Sequence, residues 1–390
     1  MAFHGKRRLA ALTLSVGLLL AGCAGPGGET EPSASAAESG GVTAAGFKTG
    51  ARWQPDEFVI STLVGLPYGA TETQTKRAVR YHKEAGFNTI EMVNVSAEDM
   101  DMALRACGES GIKVLVGDPD LMPGSQKSDA EILSKMQSYA AYEETIRGFF
   151  ICDEPAHDPA LYREIAAWSD RLRQLAPTKL MFSNLGMVRQ WQKLFYGKRY
   201  SMTCLRSGAA CRGRCGEVEC PEYTPNFIKL AEAYGAKGIS YYNSLCTLID
   251  ERAYKTELYE AIQAVNRGAA TYGNILLDKT YDELYHTAVP EALNEPYFAD
   301  DLKNSRRFVS LPDGALVSTF TGDAGEVYMM VVNRSYTREL SGTAVLKTAA
   351  DVAVISPETG AETPVGSRTD TLDVSLTKGG AALYVLRPCT

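Results

Sequence analysis

The 390-residue chain holds only 4 histidines and 3 tryptophans. No pair of histidines stands at metal-ligand spacing, and no order of Ser, His and Asp suggests a nucleophilic triad. An excess of cations is also missing: 40 Lys and Arg face 47 Asp and Glu, a net charge of −7. With no basic stripe, nucleic acid is excluded as an expected partner. Beyond one short run near the N-terminus, no apolar stretch has membrane length. No Gly-rich phosphate loop follows the first apolar segment, where Val64-Gly65-Leu66-Pro67 stands instead. Neither a cofactor nor a metal is therefore expected.

The chain starts with a basic patch, Lys6, Arg7 and Arg8, followed by an apolar run from Leu9 to Leu20. That run is too short to span a bilayer and reads as an export signal. It ends in Leu20-Ala21-Gly22-Cys23, which resembles the bacterial lipobox. The resemblance implies cleavage before Cys23 and acylation of that cysteine; an ordinary secretory cleavage nearby is the alternative. Losing three cations with the signal takes the charge from −7 to −10. Residues 24–50 are rich in Gly, Ala, Ser, Glu and Pro, with Phe47 as their one aromatic, and are expected to be a disordered tether. The protein is expected outside the cytoplasmic membrane, touching it through the N-terminal lipid only.

From Phe58 onward strands and helices alternate. Strands are predicted over 58–63, 88–93, 113–116, 146–152 and 179–183, and helices over 71–85, 97–110, 129–144 and 158–174. Thr71 or Thr73 is a plausible cap of the first helix, and Gly86 and Gly111 stop the first two. The strands are apolar on both faces, the mark of a parallel sheet covered by helices. The missing phosphate loop favours a (β/α)8 TIM-type barrel over a doubly wound sheet. In a barrel the C-terminal strand ends form the mouth. Polar residues stand there on strand after strand: Asn94, Asp118, Asp153 with Glu154, and Asn184. Pro155 stops the fourth strand just past its two carboxylates. For Asp153, capping of the next helix or pairing with Arg147 is the structural alternative.

Ile146-Arg-Gly-Phe-Phe-Ile-Cys-Asp-Glu-Pro155, Lys179-Leu-Met-Phe-Ser-Asn-Leu185 and Tyr234-Gly-Ala-Lys-Gly-Ile-Ser-Tyr-Tyr242 resemble barrel strands of glycoside-hydrolase-like bacterial lipoproteins. These are distantly similar to the family 42 beta-galactosidases and their retaining clan. The resemblance implies an oligosaccharide or polysaccharide substrate. It makes Glu154 the general acid/base, with Asp153 where the clan carries Asn. It also assigns Asn94, Asp118 and Asn184 to sugar hydroxyls, and Tyr241 and Tyr242 to a ring platform or a bond to the nucleophile. Retention needs two carboxyl groups roughly 5–5.5 Å apart. A non-catalytic glycan-binding or degenerate glycosidase is the alternative.

No nucleophile is evident. About 50 residues separate Asn184 from Tyr234, where two strand–helix units need roughly 60 to 80. Residues 196–222 carry Cys204, Cys211, Cys215 and Cys220 with no clear strand. A disulfide-stapled excursion, a thiolate metal site, and a deletion or shifted frame that leaves the barrel incomplete all stay open. Cys107, Cys152 and Cys246 read as core residues, His82 and His286 as helix residues, and His157 as a loop residue. A helix over 257–272 would close the barrel, which is expected to span 51–300. Short strands with turns between them then predict a small antiparallel β-sandwich over 301–390. With no cluster of tryptophans, a packing role is expected for it.

Overall fold

The structure, a computed structural model, describes residues 41–63, 65–153, 155, 159–184, 229, 232–241, 244–245, 247–287, 302–335 and 337–389. Cys23, Glu154, His157, Tyr242, Cys246 and the four cysteines of 196–222 lie outside them.

Six parallel strands form a curled sheet in the order β5-β4-β3-β2-β1-β6. They are β1 (Val59–Leu63), β2 (Thr89–Val93), β3 (Lys113–Gly117), β4 (Ile146–Asp153), β5 (Leu180–Asn184) and β6 (Gly238–Tyr241). Helices α1 (Glu72–Glu84), α2 (Ala97–Ser110), α3 (Asp129–Tyr139) and α4 (Pro159–Leu175) connect the first five strands. Local chemistry sets these boundaries. Thr71 and Gln74 exchange bonds in a capping box at the start of α1. Ser96 caps α2, and Gly111, at φ 70°, ends it in the left-handed conformation.

The strands are buried on both faces because two cores share them. The large core fills the space between the sheet and its helices and includes Ile60, Ile90, Val114, Phe149 and Ile151. A small cluster of Val93, Leu115, Phe150 and Phe182 covers the concave side. There the Phe150 and Phe182 rings meet edge-on at 5.3 Å. Helix α5 (Tyr259–Ile275) packs behind β1 at Gly273, where a Cβ would lie 2.2 Å from the Phe58 ring. The glycine is what admits that approach.

A half-barrel of six strands is therefore formed among the described residues, not a complete eightfold one. β6 pairs with β1 from Val59–Gly238 to Thr62–Tyr241. It takes the edge that a closing last strand would occupy.

The C-terminal domain is one antiparallel sheet of β7 (Thr280–His286), β9 (Ala315–Thr321), β10 (Val327–Asn333), β11 (Leu340–Ile355), β12 (Glu362–Leu376) and β13 (Ala381–Pro388), with β8 (Phe308–Ser310) on β11. Its long strand β11 shifts register against β12 between Val345 and Ala353. Leu340, Ala344, Leu372 and Val374 thereby share one core with Val317, Met329 and Tyr384. The sheet's other face, with Phe320, Met330 and Leu383, packs on Tyr272 and Leu276 at the end of α5 and joins the two domains.

Four expectations are corrected. Residues 41–50 are not tether: Phe47 is fully buried, its ring 5.9 Å from Phe149, and Thr43 donates to the Leu175 carbonyl. The antiparallel sheet starts at Thr280, inside the span expected for the barrel, because β7 pairs with β9. His286 is on that strand rather than on a helix. Residues 340–355, within the span expected to hold only short strands, form one 16-residue strand, β11.

Candidate functional site

The concave face of the half-barrel brings polar groups from five strands toward one region. In β5, Phe182 lies on that face, so Asn184, two residues on, shares it. In β4 the register shifts between Phe150 and Cys152, after which Asp153 stands opposite Asn184. The irregularity re-aims the strand end, so that Asp153 rather than Cys152 follows Phe150 onto the concave face. The Asn184 amide donates to Asp153 Oδ1 at 2.8 Å. Asn184 is buried and Asp153 is exposed at the strand end.

Below this pair lies a residue the sequence did not single out. Glu91, the middle residue of β2, is 2% exposed. Its Oε1 accepts the Ser61 hydroxyl of β1 at 2.5 Å and the Ser240 hydroxyl of β6 at 2.6 Å. Burial pushes the Glu91 carboxyl up from its ordinary 4.5 to about 7; the two serine bonds pull it down, and the Asp153 charge adds to the rise. At neutral pH such a group both gives and takes a proton. The signal was present: a glutamate between Ile90 and Met92 in an otherwise apolar strand is an anomaly, since glutamate is rarely buried unpaired.

The remaining expected residues sit differently. Asn94 follows β2 at φ 55°, exposed at the mouth. Asp118, after β3, is engaged by the Tyr139 hydroxyl at 2.6 Å, Lys135 at 3.2 Å and the Asp120 amide at 2.9 Å, which ties the strand end to α3. Tyr241 is turned away from the mouth. Ser240 occupies the concave side, so its neighbour points outward, and the Tyr241 hydroxyl donates to Asn266 of α5 at 2.6 Å. That buried placement removes Tyr241 from the substrate platform. Arg147 does not pair with Asp153; at the opposite end of β4 it bonds Glu57. Asp250 accepts the amides of Arg252 and Tyr254 in a loop turn. His82 is buried, with Nε2 2.7 Å from the Ser244 hydroxyl, and burial lowers it to about 4. Cys107 is a buried thiol pushed up to about 12.

Comparison with known proteins gives two answers, one from sequence over a limited span and one from fold over most of the chain. Residues 174–267 match the family of the thiamine pyrophosphate enzyme C-terminal TPP binding domain. Curated proteins with matching sequence include the acetolactate synthase large subunit of Porphyra purpurea, 41% identical over 70 residues, which are 17% of this chain and 9% of that protein. Another is acetolactate synthase of Mycobacterium avium, 50% identical over 56 residues, 14% of this chain and 7% of that one. The chain thus spans less than a tenth of the length of the relatives it matches. Two stretches that carry the glycosidase resemblance, Lys179–Leu185 and Tyr234–Tyr242, fall inside the matched span, and Ile146–Pro155 falls outside it.

Solved structures with a similar fold are glycoside hydrolases. Alpha-galactosidase I from Mortierella vinacea has a TM-score of 0.50 and 9% identity, with 85% of this chain and 97% of that chain covered. An Anoxybacillus alpha-amylase has a TM-score of 0.47 and 12% identity, with 85% and 98% covered. A diphosphate cofactor is held through a divalent metal on clustered oxygen ligands. Among the described residues no three His, Cys, Asp or Glu side chains stand together in that way. Residues 185–228 of the matched span lie outside the described residues.

Proposed function

We propose that this protein is carbohydrate-active and hydrolyses glycosidic bonds at the C-terminal mouth of its half-barrel. The observation that carries the reading is the Asp153–Asn184 pair standing over Glu91, a buried carboxyl with a proton affinity near neutrality. Glycoside hydrolysis needs one carboxyl that gives a proton and a second that acts as nucleophile or base. The fold likeness to alpha-galactosidase I supports the same reading. In this scheme Glu154 protonates the leaving oxygen in a retaining mechanism, and Glu91 and Asp153 supply the candidates for the second carboxyl. Asn94 and Asn184 hold sugar hydroxyls. An N-terminal lipid on Cys23 anchors the protein outside the cytoplasmic membrane; labelling with a fatty acid should mark the wild type and not Cys23→Ser.

The test is a panel of nitrophenyl glycosides with wild type, Glu154→Gln and Glu91→Gln. Turnover of any of them that Glu154→Gln abolishes supports the scheme. A folded wild type that turns over none overturns it.

A second reading has an observation of its own. The span 174–267 matches a different family, and among the described residues six parallel strands stand where eight would close a barrel. A binding-only or degenerate glycosidase fits that composite. Sugar binding at the mouth without turnover would select it.

A further inference from the structure

A second concavity lies far from the mouth, between α5 and the antiparallel sheet. Its volume is about 320 Å³, and Lys229, Glu232, Val265, Arg267, Pro357 and Glu358 are among its lining residues. Glu232 is 2% exposed, and among the described residues neither of its carboxyl oxygens has a hydrogen-bond partner. Nearby polar groups are already engaged. The Tyr272 hydroxyl donates to the Ile355 carbonyl at 3.1 Å, Glu358 accepts the Ser356 hydroxyl at 2.9 Å, and Lys229 reaches the Gly379 carbonyl at 3.4 Å. A buried carboxyl without partners costs stability, and folded proteins seldom leave one that way.

We propose that this interdomain cleft is a binding site for a single neutral polyhydroxylated ring, a monosaccharide, held by two adjacent hydroxyls on the Glu232 carboxyl. Three observations select that class. The volume is at the small end for ligand pockets, which suits one ring rather than a chain. With Glu232 neutral, the exposed Arg267 and Glu358 offset each other and the remaining cation, Lys229, is engaged by the Gly379 carbonyl, so no cluster of like charges draws an ion. The rest of the wall is short and apolar, with Ala264, Ala269 and Ala381, and offers a surface for the C–H face of a sugar ring. Burial raises Glu232 well above the ordinary carboxylate range. In its neutral form it gives one hydrogen bond and accepts another, which two neighbouring hydroxyls satisfy together. Lys229 is close enough to oppose that rise, and a swing onto Glu232 is the internal arrangement a ligand would displace.

The site shares no residue with the mouth, and its test is separate from catalysis. Binding of glucose, galactose, mannose and N-acetylglucosamine would be followed by saturation-transfer NMR and calorimetry on the full chain. Wild type, Glu154→Gln, Glu232→Leu and Gly268→Val would be compared. Gly268 lines the cleft within α5, and a Cβ there meets only Pro357, at 3.9 Å, an ordinary contact. At least one sugar should bind wild type and Glu154→Gln alike. Glu232→Leu and Gly268→Val should each weaken it by about tenfold or more, the worth of one or two hydrogen bonds. Should Glu232→Leu fail to fold, Gly268→Val decides alone. Absence of sugar binding, binding that Gly268→Val leaves unchanged, or preference for a simple amine such as ethanolamine over every sugar would overturn the proposal.

Discussion

Asn184 donates 2.8 Å to Asp153 on the rung where β4, after its irregularity, comes back into phase with β5. Their bond fixes the direction of an acid at the edge of the mouth. A hydrogen bond to a charged group is worth about 1.5–3 kcal/mol when its partner is buried, and less here because Asp153 is exposed. Asn184→Ala should therefore cost about 1 kcal/mol. If the mouth is catalytic, it should lower kcat/KM by a larger factor than the stability loss explains. Urea titration and glycoside kinetics on the same preparation separate the two; an unchanged kcat/KM in a measurably active enzyme would place Asn184 outside the site.

The N-terminal correction has its own test. Phe47 is fully buried against Phe149, in the core behind the sheet. Removal of a buried phenylalanine ring costs about 3–5 kcal/mol. Phe47→Ala should lower the denaturation midpoint strongly. Deletion of residues 1–40 should leave it unchanged, and deletion of 1–50 should lower it as much as the point substitution. Equal midpoints for both deletions would return 41–50 to the tether.

Gly273 is a packing position. An added Cβ would stand 2.2 Å from the Phe58 ring, deep in the seam between α5 and β1. In an exposed helix, Gly→Ala stabilises by roughly 0.5–1 kcal/mol. Here overpacking dominates, at about 1–3 kcal/mol. Gly273→Ala should be destabilising, and a Tm equal to or above wild type would show that α5 sits further out.

These positions mark how far the sequence could be read. Helix α2 runs over Ala97–Ser110 and stops where Gly111 indicates, because that signal is local. Parallel strands β1 to β5 were legible from apolar runs between glycine stops. What escaped depended on distant partners. Phe47 looked solvated because it is the one aromatic in a stretch rich in Gly, Ala, Ser, Glu and Pro; its partner Phe149 is a hundred residues away in sequence. β7 carries Asp282 and Glu283, which read poorly as a strand until Arg306 and Arg307 bring their charges. Glu91 was hidden in plain view, its serines lying on β1 and on β6, a strand whose place beside β1 no local pattern gives. Tyr241 was assigned to the mouth by the family resemblance, and the phase of β6 is fixed only once Ser240 is seen to meet Glu91.

Glu91 and His82 should write opposite signatures into the pH dependence of stability. Glu91 is raised in the folded protein from 4.5 to about 7. Between those values the native state holds a proton that the unfolded chain has lost, so stability falls as pH rises and the deficit is complete above pH 7. His82 is lowered from 6.5 to about 4. Between those values the unfolded chain holds the extra proton, so stability falls as pH drops, and the full loss is reached below pH 4. Each shift corresponds to about 3 kcal/mol. Over the shared window, pH 4.5 to 6.5, the two slopes oppose each other in the wild type. His286, lowered by burial to about 3, adds to the His82 direction. Glu91→Gln keeps the serine contacts without a titrating proton. Its stability relative to wild type should therefore climb as pH rises from 4.5 to 7, and then level off. His82→Gln should behave in the reverse sense, gaining on wild type as pH falls from 6.5 toward 4. Urea midpoints read at half-unit steps give both differences directly. A Glu91→Gln difference that is flat across the window would mean that Glu91 is solvated and ionised like a surface carboxylate, and it would remove the proton-holding group on which the hydrolytic reading rests.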